Sequence, residues 1–183
     1  MKSRHIIVHL IRDEAKEAHE TITKELVEKL DAFPIHDRIV PHLTLKRWFE
    51  LDGAGVEEVY RVLDVFAATH MQSDYRLHGL SNFGEGVIYI DVDPSNEMSQ
   101  TVSDLMVALH TVKGMSFEEV DTTEQHFHAT VAMRALKPFD FKETWDYLLT
   151  QKQLDFNLKF DNIAILRKEK DKWVPARIWE LPK

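Results

Sequence analysis

An α+β fold, or a split α/β one, is what three features of this 183-residue sequence predict. Short apolar runs of strand character take turns with longer runs whose apolar residues recur at helical spacing. The order strand, helix, strand, helix, strand is met twice along the chain, as in an internal duplication. No glycine-rich phosphate loop follows any strand, which speaks against a doubly wound nucleotide-binding sheet.

Each element follows from local pattern. Residues 5–11 (HIIVHLI) form a strand. Residues 13–33 form a helix with Ala15, Ala18, Ile22, Leu26 and Leu30 on one side, stopping before Pro34. Residues 42–49 (HLTLKRWF) are the next strand, and 55–70 the next helix, with Val56, Val59, Val62, Leu63 and Phe66 on its apolar side. Residues 74–83 and 86–92 read as two strands around a glycine-flanked turn. A helix over 97–112, a strand over 127–134 and a helix over 141–153 follow. The closing runs 155–168 and 172–181 read as a final pair of strands. No linker interrupts the chain, so residues 1–183 are expected to form one domain with lobe-like halves of about 5–83 and 87–183.

Composition bounds the function. A hydrophobic share of 44% with 30% charged residues is ordinary for a globular chain. The absence of cysteine removes disulfides, thiolate metal sites and a cysteine nucleophile together, and fits a reducing compartment. The first apolar run is too short for a secretory signal and no later stretch approaches a membrane span, so a cytoplasmic protein, without membrane association and monomeric, is expected. The net charge of −8, with no dense Lys/Arg run, disfavours an extended nucleic-acid track. A small nucleotide or the end of an RNA remains open, because a few local donors can hold one or two phosphates.

Two strands carry the same short pattern, His42-x-Thr44 in PHLTL and His128-x-Thr130 in HATV, 86 residues apart. Residues two apart on a strand share a face, so each copy presents an imidazole beside a hydroxyl. A third copy, His19-x-Thr21, lies in the first helix, where positions two apart diverge by about 200° and cannot serve one ligand. A His-Thr pair also fits a plain half-exposed sheet face. Matched places in the two halves are what single these two out.

The chemistry needs such a set. Opening a cyclic phosphodiester with water requires one group to take a proton from the nucleophile and another to give one to the departing sugar oxygen. Two histidines can do both near neutrality. Threonine hydroxyls can donate to the non-bridging phosphate oxygens. No metal or other cofactor is required. Counted along the strands, Lys46 and Arg134 could add positive charge at the phosphate, although either could equally be a solvated charge. His126 shares the face of His128, so a three-nitrogen metal site with His42 is an alternative. Phe83, in its turn, could stack on a base or pack in the core. The remaining histidines, His5, His9, His36, His70, His78 and His110, read as structural or surface residues.

The pair PHLTL and HATV, together with GLSNFGEGVIYIDV between them, resembles the signature of the two-histidine (2H) phosphoesterase superfamily, which includes the 2′-5′ RNA ligase-like proteins and RNA 2′,3′-cyclic phosphodiesterases. The resemblance implies a bilobal α+β fold with pseudo-twofold duplication, in which two antiparallel sheets line a central cleft and helices lie outside. It also implies a phosphoesterase that hydrolyses 2′,3′-cyclic phosphates, leaving a 2′-phosphate, or acts on 2′-5′ linkages. His42 and His128 would then be acid and base, and Thr44 and Thr130 would hold the phosphate. Members often carry arginine five residues after the second histidine; here Met133 stands in that place and Arg134 follows it. A module that keeps the cleft and binds a nucleotide or phosphate ligand without turnover is the other reading.

Overall fold

The computed structural model describes residues 2–119, 121 and 125–183. Thirteen elements follow one another among them: β1 (Ser3–Leu10), α1 (Asp13–Leu30), α2 (Ile35–Arg38), β2 (His42–Leu51), α3 (Gly53–Thr69), β3 (Ser73–Phe83), β4 (Val87–Pro94), α4 (Asn96–Leu109), β5 (His128–Met133), α5 (Phe141–Leu149), β6 (Asp155–Phe160), β7 (Asn162–Glu169) and β8 (Lys172–Glu180). The strands form two four-stranded sheets, ordered β2-β1-β7-β8 and β5-β4-β3-β6. All pairings are antiparallel.

The expected α+β architecture is present, but the sheets do not follow the division of the chain near residues 83–87. β3, in the first half, pairs with β4 and β6, whereas β7 and β8 return to the sheet of β1. The closing run over 155–168 is two strands rather than one. It breaks at Asp161, and its pieces belong to different sheets. Hydrophobic alternation reports which face of a strand is buried and says nothing of its pairing partner. The duplication survives at the level of the sheets: β2 and β5, which carry the two His-x-Thr pairs, are edge strands, and each lies beside the strand that begins its repeat, β1 or β4.

Helix boundaries have local causes. α1 ends three residues earlier than its apolar spacing suggests, because Asp31 takes a left-handed conformation (φ 51) and its N–H bonds back to the Val27 carbonyl at 3.1 Å. The following turn includes the one-turn α2, which the sequence pattern did not announce. Asp52, Ser95 and Asp140 cap α3, α4 and α5 by accepting the N–H of Gly55, Met98 and Glu143.

A main apolar core draws on both sheets and the long helices, including Ile7, Leu43 and Phe49, then Leu77, Ile88 and Ile90, then Leu26, Leu63 and Leu105. Polar links join the two sheets. His9 donates through Nδ1 to the Asn162 carbonyl at 3.0 Å and accepts from the Tyr75 hydroxyl at Nε2 at 3.1 Å, which ties β1 to β3. The buried Asn162 side chain grips both backbone groups of Leu10, accepting its N–H at 2.9 Å and donating to its carbonyl at 3.1 Å. It continues the ladder where the β1–β7 register stops, so both backbone groups of Leu10 are paired there. Among the described residues no helix is long and apolar enough to cross a membrane.

Candidate active site

β2 sets the half-buried His42 and Thr44 on one face while Leu43 and Leu45 enter the core on the other. β5 does the same, with His128 and Thr130 half-buried and Ala129 and Val131 inside. The two edge strands approach each other, and the charge of His128 acts on His42.

The two imidazoles are held in the same way. His42 Nδ1 lies 2.8 Å from the carbonyl of Val40, and His128 Nδ1 lies 2.9 Å from the carbonyl of His126, in each case the residue two before. A carbonyl can only accept, so each Nδ1 carries the hydrogen and each Nε2 keeps its lone pair. Burial pushes the pKa of His42 down to about 4, against the Val40 hydrogen bond and with help from the charges of His19 and His128. Burial also lowers His128, against the hydrogen bond to the His126 carbonyl and the charge of Asp91, and with help from the charges of the His126 ring and Arg47. Both rings rest neutral at pH 7.

Lys46 does not face this site. β2 carries two irregularities between Leu43 and Phe49, which place Lys46 opposite Ile7 on the core side of the sheet. Its side chain is 0% exposed, and its ammonium donates to Asp121 at 2.8 Å and to the Arg47 carbonyl at 3.2 Å. The second Asp121 oxygen accepts the Arg47 N–H at 3.1 Å, and the amide of Glu118 also donates to this carboxylate at 2.8 Å. Burial alone would raise the Asp121 pKa, but these donors outweigh it and hold the carboxyl below its usual range. Lys46 therefore fixes the segment before β5 instead of holding a phosphate. The cation whose charge reaches His128 is Arg47, exposed and 3.4 Å from Glu118. Strict alternation along the strand misses it, because the extra residues reset the count.

Arg134 follows β5. Its backbone N–H bonds the Gly86 carbonyl at 2.8 Å, and its guanidinium turns to Glu85 at 3.4 Å and to the Phe139 carbonyl at 3.5 Å. Phe83 stands beside the second motif, with ring centroids 5.0 Å from His128 edge-on and 4.4 Å from Tyr89, and is 45% exposed. His126 Nε2 lies 3.1 Å from Asp91 and 3.2 Å from the Tyr89 hydroxyl. The three-nitrogen alternative of His42, His126 and His128 does not assemble: among the described residues no group of three or more His, Cys, Asp or Glu side chains could hold a metal ion.

The third His-x-Thr copy splits as helical geometry requires. Thr21 points to solvent and donates to the Glu17 carbonyl at 2.8 Å. His19 turns inward, is buried, and donates through Nε2 to the carbonyl of Thr130 at 2.9 Å. Its place on the same stripe as Ala15, Ile22 and Leu26 was the available signal, a polar residue on a buried face. A groove of about 550 Å³ between α3 and α4, lined by Val62, Val65, Phe66 and Val107 among others, contains none of these residues. Glu58, Arg61, His70 and Asp104 also line that groove, which lies apart from the matched histidines and threonines.

A profile of the 2′-5′ RNA ligase superfamily matches residues 11–172. No curated protein matches the sequence. Among solved structures, Escherichia coli LigT complexed with 3′-AMP superposes with a TM-score of 0.68 at 12% identity over 100% of both chains. The protein TT0787 of Thermus thermophilus gives 0.66 at 14% identity over 97% of both chains, and a crystal structure described as a phosphoesterase gives 0.63 at 14% over 100% of both. These likenesses share the fold seen here, with its paired antiparallel sheets, and the sequence profile spans most of the chain. The protein belongs to the 2′-5′ RNA ligase superfamily of two-histidine phosphoesterases.

Proposed function

We propose that the protein is a metal-independent phosphoesterase that opens 2′,3′-cyclic phosphates at an RNA end or on a small nucleotide, or acts on 2′-5′ linkages, through His42 and His128. The observation that carries this reading is the matched anchoring of the two imidazoles, each giving its Nδ1–H to a carbonyl two residues back and keeping Nε2 for chemistry. His42, the ring held at about pKa 4, takes a proton from the attacking water as the water oxygen bonds to phosphorus. His128, which Asp91 helps to protonate, gives a proton to the departing ribose oxygen, and a 2′-phosphate remains. Thr44 and Thr130 donate to the non-bridging oxygens. Phe83 offers a ring beside His128 for the base. The E. coli LigT structures with 3′-AMP, ATP and phosphate support a nucleotide-like ligand for this fold.

One observation favours the second reading, a nucleotide-binding module without turnover: both rings rest neutral, so the acid must gain its proton with the anionic substrate. Turnover of a 2′,3′-cyclic mononucleotide in excess chelator, by the wild type and by His42→Ala and His128→Ala, separates the two. Activity in the wild type that falls about 10²–10⁴-fold in each variant supports the acid and base pair. Binding without turnover favours the module. Loss of activity on chelation overturns the metal-independent mechanism.

A further inference from the structure

The sheet face that carries His42 and Thr44 continues away from them to a group of cations and tryptophans. Leu10 stands opposite His42 and Val8 opposite Thr44, and Ile6 and Arg4 follow on the same face of β1. Leu166 lies opposite Ile6, so Lys168, two residues further along β7, comes up beside Arg4. Between the two ends runs a small apolar floor of Ile6, Val8, Ala164 and Leu166, with Trp173, Ile39 and Val40 packed on it. Four strand steps from Val8 to Arg4 set the cations about 13 Å from Thr44.

Arg38 of α2 completes the group. Burial, together with the charges of Arg38 and Arg4, holds the Lys168 ammonium below its ordinary range. The Arg4 guanidinium lies 4.6 Å over Trp48, and Lys168 lies 5.3 Å over Trp173. Trp48 is 45% exposed although its ring is large and apolar. Arg4 pairs with Glu50 at 2.9 Å and Arg38 pairs with Asp171, while Lys168 has no carboxylate partner among the described residues. In a chain of net charge −8 this is a local concentration of positive charge, interleaved with aromatic rings. Positive groups that track phosphates, with rings that stack bases, are how proteins hold single-stranded nucleic acid.

We propose that Arg4, Arg38, Lys168 and Trp48 bind a short RNA segment leading away from the cyclic phosphate, with backbone phosphates against the cations and a base on Trp48. The proposal rests on the cyclic-phosphate reading and narrows it, making the substrate an RNA 3′ end in preference to a free mononucleotide. Glu50 and Asp171 restrict the surface to a few phosphates, in keeping with the acidic charge of the whole chain.

A fluorescein-labelled pentaribonucleotide ending in a 3′-phosphate, which has no ring to open, reports binding by anisotropy independently of turnover. The wild type is expected to bind it with an affinity that falls as salt rises, and Lys168→Ala and Trp48→Ala are each expected to weaken binding about tenfold or more. In parallel, the ratio of kcat/KM for a pentanucleotide 2′,3′-cyclic phosphate to that for the cyclic mononucleotide should fall at least tenfold in both variants, with melting curves checking the fold. No binding by the wild type, or binding and ratio unmoved in both variants, overturns the proposal. Turnover of neither cyclic substrate by the wild type instead overturns the cyclic-phosphate reading, and the anisotropy result still decides whether this surface holds RNA.

Discussion

His19 Nε2 lies 2.9 Å from the carbonyl oxygen of Thr130, so a buried side chain of the first helix holds the strand that presents the second His-x-Thr pair. The bond reaches across 111 residues of sequence and fixes the backbone at Thr130, two residues after His128. Removing it in His19→Ala takes this donor from the part-buried Thr130 carbonyl, at a cost of about 1–3 kcal/mol in urea unfolding. Misplacement of Thr130 and His128 is expected to lower kcat more than it raises KM. His19→Gln, whose amide can donate to the same carbonyl, should recover part of kcat. A variant with stability reduced but kcat intact would limit His19 to packing.

Lys46 and Asp121 form a buried ion pair whose side chains are 0% and 1% exposed. Truncating Lys46 to alanine strands the carboxylate in the interior, at a cost of about 3–5 kcal/mol in denaturant unfolding. Replacing both partners with apolar residues of similar volume should restore much of that loss, because no charge is then left buried alone. Should Lys46→Ala unfold like the wild type while raising KM for the phosphate substrate, Lys46 would return to the site from which the bulge removes it.

The acid and base assignment fixes a pH profile. The base, His42, must be neutral, which holds above about pH 4. The acid, His128, must be protonated, which holds below a pKa that burial has lowered from 6.5. The kcat/KM for a cyclic mononucleotide is therefore expected to be bell-shaped, with its maximum on the acidic side of neutrality. Arg47→Ala removes a charge that lowers His128, so it should carry the alkaline limb to higher pH. A rate that climbs steadily from pH 5 to 9 would contradict the assignment.

Much of the site was legible because a two-residue repeat on a strand is a local geometric fact. His42 and Thr44, and His128 and Thr130, share faces as alternation requires. Lys46 was misplaced because a bulge depends on how β2 pairs with β1, which no count along one strand contains. The role of His19 does not show in the sequence, because its partner is a backbone carbonyl on a distant strand, and a carbonyl leaves no trace in side-chain spacing. The fold divides in the same way. Strands and helices followed from periodicity and end signals, whereas the departure of β3 to the second sheet and the return of β7 to the first depend on contacts between remote segments.

The interleaving of the sheets has a consequence for how the molecule is made. The sheet that bears His42 needs β7 and β8, which leave the ribosome after the other strands of both sheets. Until they arrive, β1 offers one bare edge and Leu10 lacks the amide of Asn162 that closes its backbone. The nascent chain must keep its N-terminal strands from pairing elsewhere while all the intervening elements emerge, and such sequence-distant pairing makes for slow folding. A polypeptide halted before residue 162 would present the first His-x-Thr pair on an unfinished sheet.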